Sequence, residues 1–197
     1  MERNNLYPIF LKVHLLETLI VGGGNVAHEK LTFLLKSSPH ANVTMVATHF
    51  KPEVKALAKE FDIKLIATAY YKDFLIDKHL VIAATNRFSI NSTIHRDAKE
   101  RHLLVNVADT PDLCDFYLGG IVTKGNVKIA ISTNGKSPTM AKRLRQFFEQ
   151  VIPDEIDKLA LNLNRFRKGI QGDFDQKVKE LNALTEDLII EKERLLK

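Results

Sequence analysis

The chain has 197 residues, of which 45% are hydrophobic and 27% charged, so it can bury a core without disulfide or metal support. Its formal charge of +5 suits an anionic partner but does not choose among a nucleic acid, a lipid surface and an acidic metabolite. The single cysteine, Cys114, excludes an internal disulfide and a zinc site of paired thiolates. We find neither a signal-peptide core nor an apolar run of membrane-helix length, and we expect a cytoplasmic protein that does not contact membranes.

Short apolar runs alternate with amphipathic segments through the first part of the chain. The runs predict five buried strands, at 18–21, 42–47, 64–67, 80–84 and 103–107. Apolar residues at helical spacing predict the intervening helices, with Leu31, Val54 and Ile94 among the core positions. Because strands so short and apolar fit a sheet covered on both faces, the prediction is a Rossmann-like, doubly wound α/β domain over residues 1–114.

The pattern changes after this domain. Two β-favouring runs, 119–123 and 127–133, flank Gly125-Asn126 and predict a β-hairpin outside the parallel sheet. A helix should follow from Ser137-Pro138 to about Pro153. Its predicted buried face consists of Leu144, Phe147, Phe148 and Val151. Two further helical stretches are indicated by one apolar set at Ile156, Leu159, Ala160, Leu163 and Phe166, and by another at Val178, Leu181, Leu184 and Leu188. We therefore expect a hairpin and helix segment over 115–152 and a helical domain over 153–197.

A glycine-rich motif joins the first predicted strand to the first predicted helix. Residues 22–27 read Gly-Gly-Gly-Asn-Val-Ala, which is the G-x-G-x-x-A pattern in the strand-turn-helix setting that a dinucleotide site requires. Gly22 would permit the tight turn, Gly24 would let the backbone approach a pyrophosphate, and Ala27 would let helix and strand pack closely. With Asn25 and Val26 at the helix N-terminus, these residues are the predicted pyrophosphate site.

The end of the second strand lacks the acidic residue that would normally bind the adenosine ribose. Ala47-Thr48-His49 stand there instead, and Thr48 is the candidate for a hydrogen bond to a ribose hydroxyl. Without a carboxylate, and with His49 and Lys51 nearby, this position does not distinguish NAD from NADP.

The fourth and fifth strands end in small or polar residues at the edge of the sheet where ligands bind in open α/β folds. These residues place Ala84, Thr85 and Asn106 among the candidate cofactor-binding positions. Asp109 follows the fifth strand, where partial burial would raise its pKa toward a value useful for proton transfer. A role for Asp109 in capping the turn before Pro111 is the alternative.

A second candidate anion site lies at the predicted helix after the hairpin. Asn134-Gly135-Lys136-Ser137-Pro138 places backbone N–H groups, a lysine and a hydroxyl at a helix N-terminus, although an ordinary helix cap explains Ser137-Pro138 as well. No spacing of histidines or cysteines predicts a metal site. Cys114 reads as a small packed residue rather than a nucleophile, because neighbouring aspartates raise the pKa of its thiol.

Five stretches in unbroken order resemble one family. They are Leu-Tyr-Pro-Ile-Phe-Leu from Leu6, the glycine motif extended to Lys30, Val-Ile-Ala-Ala-Thr-Asn from Val81, the run from Val105 to Phe116, and Ile-Ala-Ile-Ser-Thr-Asn-Gly-Lys-Ser-Pro from Ile129. Together they cover about the first 150 residues. They resemble the amino-terminal family of the siroheme synthases, the precorrin-2 dehydrogenases.

This resemblance implies an enzyme that uses NAD to oxidise precorrin-2 to sirohydrochlorin, and in some members also inserts ferrous iron to give siroheme. It assigns the essential aspartate to Asp109, as proton acceptor. It also implies a tetrapyrrole substrate whose carboxylates suit Thr133, Lys136 and Ser137, and a homodimer formed through about 115–152 by exchange of hairpin and helix.

The alternative function is an NADH-sensing regulator that binds nucleic acid through its basic helical tail. The lysines and arginines are dispersed along amphipathic helices, and the sequence shows no helix-turn-helix with clear recognition residues. We therefore expect no nucleic acid partner.

Overall fold

The computed structural model describes residues 4–171 and 173–186. The chain forms two compact units, one of residues 4–120 and 130–141 and the other of 121–129 and the described residues from 142 onward. The division into 1–114, 115–152 and 153–197 remains a prediction. No helix in the described ranges is long and apolar enough to cross a membrane.

The first unit is built on a parallel sheet of five strands. They are β1 (Glu17–Val21), β2 (Asn42–Ala47), β3 (Lys64–Ala67), β4 (Leu80–Ala83) and β5 (Leu104–Val107). Their spatial order is β3-β2-β1-β4-β5, and every neighbouring pair is parallel. The predicted Rossmann-like fold is therefore confirmed, with the strand bounds displaced by at most one residue.

Helices cover both faces of this sheet. They are α1 (Asn25–Ser37), α2 (Pro52–Glu60) and α3 (Phe88–Glu100). Leu31 and Val54 bury the α1 and α2 side against one face, and Ile94 buries α3 against the other. This double coverage explains why the strands are predominantly apolar. The carboxyl ends of β1 to β4 are left open for a ligand.

The chain covers the β5 edge of the sheet as it leaves that strand. The Asp115 N–H donates to the Val105 carbonyl oxygen at 2.8 Å, and the Asp115 carboxylate accepts from the Val105 N–H at 3.0 Å. Lys99 pairs with the same carboxylate at 2.7 Å. Burial raises the pKa of Asp115, but the bonds from Lys99 and Val105 outweigh it and hold the pKa below its ordinary value. The backbone groups of Val105 are thus paired within this chain.

The predicted hairpin forms a separate two-stranded sheet of β6 (Gly120–Lys124) and β7 (Val127–Ile131). Gly125 begins its two-residue turn with a φ of +57°, a conformation that favours glycine. In the second unit, Asp157 accepts hydrogen bonds from the backbone N–H and the side-chain amide of Asn126, both at 2.7 Å. These bonds fix the hairpin tip to the start of a helix.

The remaining helices are α4 (Pro138–Val151), α5 (Ile156–Gly169) and α6 (Phe174–Thr185), as the apolar spacing predicted. The expected burial of the α4 apolar face is wrong within the described chain: Phe147 is 54% exposed and Val151 52%, and Leu144 is also exposed, whereas Phe148 is half-buried. Most of this face is therefore accessible among the described residues. Leu188, the last position of the predicted α6 face, lies outside them.

Candidate functional site

A cleft of about 840 Å3 lies at the carboxyl ends of the first four strands. Seven of the predicted cofactor residues line it: Gly22, Gly24, Asn25, Val26, Thr48, Ala84 and Thr85. Ala27 lies directly behind the glycine loop, fully buried, with its Cβ 3.3 Å from the point where a Gly22 side chain would begin. Ala27 therefore provides the close packing that the motif predicted.

The three glycines at the head of the cleft have different surroundings. A Cβ at Gly22, whose φ is +136°, would overlap the Ala84 carbonyl, and a Cβ at Gly23 would overlap the His49 carbonyl. A Cβ at Gly24 would meet no atom within 4 Å. The fold itself therefore requires Gly22 and Gly23, while Gly24 keeps a space that a side chain would fill and that a ligand can enter.

Helix α1 begins at this open position. Gly24 is its N-cap residue, so no side chain caps the first N–H groups of the helix. The Lys51 ammonium lies next to them and donates to Asn25 Oδ1 at 2.6 Å. Unpaired N–H groups, the positive end of the helix dipole and a nearby ammonium together make this end of the cleft suitable for a phosphate or diphosphate.

The loop after β2 forms the neighbouring wall. Thr48 and His49 are exposed there, and the Lys51 N–H donates to the Gly23 carbonyl at 2.9 Å. No aspartate or glutamate is among the described residues that line the cleft. The electrostatics of this wall therefore accommodate an anionic ligand.

The loop after β4 is held by a residue that sequence reasoning missed. Asn91, on α3 and 4% exposed, accepts hydrogen bonds from the Thr85 N–H at 3.2 Å and from the Thr85 hydroxyl at 2.6 Å. Its amide also donates to the Thr85 carbonyl at 3.1 Å. A polar residue one helical turn before the buried Ile94 was the available signal. Asn91 thereby fixes the part of the cleft that Ala84 and Thr85 form.

The structure does not bring Asn106 into the cleft. Its side chain is 6% exposed and donates to the Phe116 carbonyl at 2.8 Å, because the chain returns along β5 after Asp109. This amide supports the fold, and a direct contact of Asn106 with a cofactor remains a prediction.

Asp109 follows β5 at the same edge of the sheet, but it is not among the cleft-lining residues. It has a φ of +57° and is exposed, so the expected partial burial is wrong: the turn after β5 directs this residue to the surface. Within the described chain its carboxylate takes part in no hydrogen bond or ion pair, which argues against a capping role. The carboxylate is therefore accessible to a ligand.

Thr133, Lys136 and Ser137 come together in a loop outside the cleft. The Thr133 hydroxyl donates to the Ser137 carbonyl at 3.0 Å, and the Lys136 N–H donates to the Thr133 carbonyl at 3.0 Å. Ser137 Oγ accepts from the Met140 N–H at 3.2 Å, so the predicted helix cap is present. The loop is ordered by its own bonds, and its role toward a substrate remains a prediction.

Cys114 is half-buried behind β5. Its sulfur lies 3.2 Å from the Val107 nitrogen and 3.2 Å from the Val107 oxygen. Burial raises the pKa of the thiol, the hydrogen bond with Val107 lowers it, and the charge of Asp115 raises it further. The net increase agrees with the interpretation of Cys114 as a packed residue rather than a nucleophile.

Two stretches of the chain match known families. Residues 9–120 match a family described as "Putative NAD(P)-binding", a stretch that covers more than half of the chain. The chain belongs to this NAD(P)-binding family. The predicted nicotinamide dinucleotide cofactor is thereby confirmed at the level of NAD(P), and the space at Gly24 and the uncapped start of α1 fit its diphosphate. Residues 124–150 match a second family, described as "Sirohaem biosynthesis protein central".

Curated relatives confirm the resemblance drawn from the five motifs. The chain is 38% identical over 179 residues to the siroheme synthase of Psychrobacter cryohalolentis, which covers 91% of this chain and 33% of that protein. It is 36% identical over 173 residues to the siroheme synthase of Pseudoalteromonas atlantica, covering 88% of this chain and 37% of the relative. The chain thus spans about a third of the length of these relatives.

A solved structure shares the fold. It is "SirC, precorrin-2 dehydrogenase", which superimposes with a TM-score of 0.76 over 92% of this chain and 90% of that one, at 19% sequence identity. This match confirms the arrangement of parallel sheet, hairpin and terminal helices.

Proposed function

We propose that this chain oxidises precorrin-2 to sirohydrochlorin with NAD, as a step of siroheme biosynthesis, and that it acts in the cytoplasm as a homodimer. The observation that carries the proposal is the open space at Gly24, which lies against an uncapped helix start in a chain related to siroheme synthases. The names of those relatives and of the structural neighbour support the choice of substrate.

Residues on three walls of the cleft would bind different parts of the dinucleotide. The first N–H groups of α1 would hold the diphosphate, with Lys51 adding positive charge from the side. Thr48 would donate to or accept from a ribose hydroxyl at the end of β2. The Asn91 bonds keep the Thr85 loop in one conformation, so it need not be ordered when the cofactor binds.

Asp109 would serve as the proton acceptor. When bound, NAD supplies an acceptor for the hydride removed from the substrate. Loss of a hydride leaves a proton to be removed from the macrocycle, and an accessible carboxylate without an internal partner can take it. Its position after β5, beyond the β4 loop, supports placing the substrate on that side of the cleft.

The loop of Thr133, Lys136 and Ser137 would receive carboxylates of the tetrapyrrole. The glycine at 135 has a φ of +73° and Asn134 a φ of +53°, which turns the backbone sharply before the helix start. A helix N-terminus and a lysine are suited to carboxylates, and precorrin-2 carries several of them.

The decisive experiment gives purified protein precorrin-2 with NAD and follows NADH and sirohydrochlorin by absorbance. We expect both products to appear together; their absence with active, folded protein would contradict the proposal. A parallel reaction with NADP measures the cofactor preference, and one with ferrous iron tests whether the chain also makes siroheme. A DNA-binding assay with and without NADH covers the alternative function, and NADH-dependent binding would favour a regulator.

Asp109→Ala tests the proton acceptor in the same assay. We expect turnover to fall by at least about a hundredfold, because general-base catalysis contributes roughly 10²–10⁴-fold, while NAD affinity stays within about twofold. Asp112→Ala, a nearby exposed aspartate, is the matched control and should retain activity. Wild-type turnover in Asp109→Ala would remove this residue from catalysis.

A further inference from the structure

The cleft has two halves on either side of the glycine loop. The strand order places the ends of β2 and β3 on one side of β1, and the ends of β4 and β5 on the other. If the substrate and the nicotinamide lie toward Asp109, beyond β4, the adenosine half of the dinucleotide must lie toward β2 and β3. The walls of that half include Thr48 and the segment 68–70 that follows β3.

Tyr70 is the one phenolic or phenyl side chain among the described residues that line the cleft. It is half-buried and packs against the core cluster that contains Ile94 of α3. The faces of aromatic side chains stack on nucleobases, because both present flat, polarisable surfaces. Tyr70 therefore places an aromatic residue in the wall of the adenosine half of the cleft.

A buried carboxylate holds this tyrosine. The Tyr70 hydroxyl donates to Asp97 Oδ2 at 3.1 Å, and Asp97, on α3, is only 7% exposed. The nearest cation is the guanidinium of Arg96, whose side chain is 68% exposed and lies 3.7 Å from Asp97 Oδ1. Burial of a carboxylate costs free energy, and Asp97 has no role in the proposed proton transfer or in the proposed contacts with the diphosphate and ribose. Its hydrogen bond to the Tyr70 hydroxyl restrains the position of the tyrosine ring.

The protonation of Tyr70 favours the same arrangement. Burial raises the pKa of the phenol and the negative charge of Asp97 raises it further, so the hydroxyl remains a donor to higher pH than that of an ordinary tyrosine. The next residue, Tyr71, has different surroundings. It is 54% exposed and does not line the cleft. Its ring packs on Phe74, with centroids 4.1 Å apart.

We infer that Tyr70 is the residue that contacts the adenine of the dinucleotide and that Asp97 is its positioning residue. This inference rests on the proposed function, which supplies the dinucleotide as ligand. It assigns Asp97 an effect on cofactor affinity that is transmitted through one hydrogen bond, without contact between Asp97 and the cofactor.

Calorimetric titrations with NAD, ADP-ribose and nicotinamide mononucleotide test the contact. In Tyr70→Ala we expect NAD and ADP-ribose to bind about ten- to a hundredfold more weakly, the range for loss of one base–aromatic stack. Nicotinamide mononucleotide, which lacks the adenosine, should bind as it does to the wild type. Tyr71→Ala is the matched control and should leave all three affinities unchanged. ADP-ribose affinity at the wild-type level in Tyr70→Ala would overturn the inference.

Variants that remove the hydrogen bond between Tyr70 and Asp97 but keep the aromatic ring test the positioning role. Tyr70→Phe and Asp97→Ala should each weaken ADP-ribose binding by about three- to tenfold, and the double variant should be no weaker than either, because both changes remove the same hydrogen bond. Asp97→Asn retains an acceptor and should restore most of the affinity. Additive losses in the double variant would show that Asp97 acts in another way. If Asp97→Ala does not fold, the comparison of Tyr70→Phe with Asp97→Asn decides.

The outcomes separate this inference from the proposed function. If the wild type binds no NAD, or binds it without oxidising precorrin-2, the proposed function fails first. If the wild type binds and turns over normally and Gly24→Asp abolishes NAD binding, but Tyr70→Ala leaves ADP-ribose affinity intact, the inference about Tyr70 fails alone.

Discussion

At the scale of single residues, the glycine loop separates requirements of folding from requirements of binding. The φ of Gly24 is −94°, which other residues adopt freely, and the position of its absent side chain is open, whereas Gly22 has neither property. A substitution at Gly24 can therefore affect the ligand without affecting the fold. The motif alone could not separate these roles, because they depend on the carbonyls of Ala84 and His49, which are distant in sequence.

Gly24→Asp should fold and lose the cofactor. We expect its free energy of unfolding to stay within about 1 kcal/mol of the wild type. NAD affinity should fall at least about a hundredfold, because the new carboxylate occupies the opening and repels the diphosphate. Thermal unfolding and calorimetric titration measure the two effects. Gly22→Ala is the contrasting variant and should be destabilised by about 2 kcal/mol or more. Unchanged NAD affinity in Gly24→Asp would show that the diphosphate binds elsewhere.

Cys114 provides a test of pH dependence. Because the pKa of its thiol is raised, chiefly by burial, less thiolate is present at a given pH than in the unfolded chain. Alkylation by iodoacetamide should therefore be slower in the folded protein, and its rate should rise with pH only at more alkaline values than in denaturant. Mass spectrometry follows the reaction without ambiguity, since this is the only cysteine. Equal rates in folded and denatured protein would contradict the expected packing.

At the scale of elements, periodicity located the strands and helices but not the polar bonds between them. The spacing of Ile90, Ile94 and Ala98 predicted α3, while Asn91 and Asp97, both buried on that helix, were missed. Their partners, Thr85 and Tyr70, lie in loops whose paths no local pattern determines. Likewise, the position of Asn106 at the end of β5 was predictable, but its bond to Phe116 depends on the return of the chain along the sheet edge.

Asn91→Ala tests whether the hydrogen bonds of Asn91 hold the Thr85 loop after β4. Removing this side chain leaves the Thr85 N–H and carbonyl without their partner, so the free energy of unfolding should fall by about 1–3 kcal/mol. NAD should bind about two- to tenfold more weakly, because the loop must then be ordered on binding. Thr93→Ala is the control for stability: the hydroxyl it removes bonds only within α3, to the Ser89 carbonyl, and the cost should be below about 0.5 kcal/mol. Equal free energies of unfolding of the two variants in chemical denaturation would show that the Asn91 hydrogen bonds do not stabilise the Thr85 loop.

At the scale of the whole molecule, the apolar face of α4 is notable because much of it is exposed in a single chain. Spacing correctly grouped Leu144, Phe147, Phe148 and Val151 on one face, but a periodic pattern shows that a face is apolar and not what covers it. The exposure of Phe147 and Val151 supports the proposal that a second copy of the chain packs there.

Phe147→Asp should convert the proposed dimer into a monomer. A carboxylate in the centre of an apolar contact is costly to desolvate, and we expect the dissociation constant of the dimer to rise at least about a hundredfold. Sedimentation velocity measures the assembly, and circular dichroism shows whether the helices persist. Arg143→Ala, which removes an exposed charge bonded to Gln146 on the same helix, should remain dimeric. A wild type that sediments as a monomer would rule out the dimer, and a dimeric Phe147→Asp would place the contact elsewhere.

The fold also limits how copies of this protein can join. Val105 lies in β5, an edge strand of the sheet. Its backbone N–H and carbonyl both form hydrogen bonds with Asp115 of the same chain. A neighbouring molecule therefore cannot add a strand at that point without first displacing this internal partner, which hinders edge-to-edge joining of two sheets.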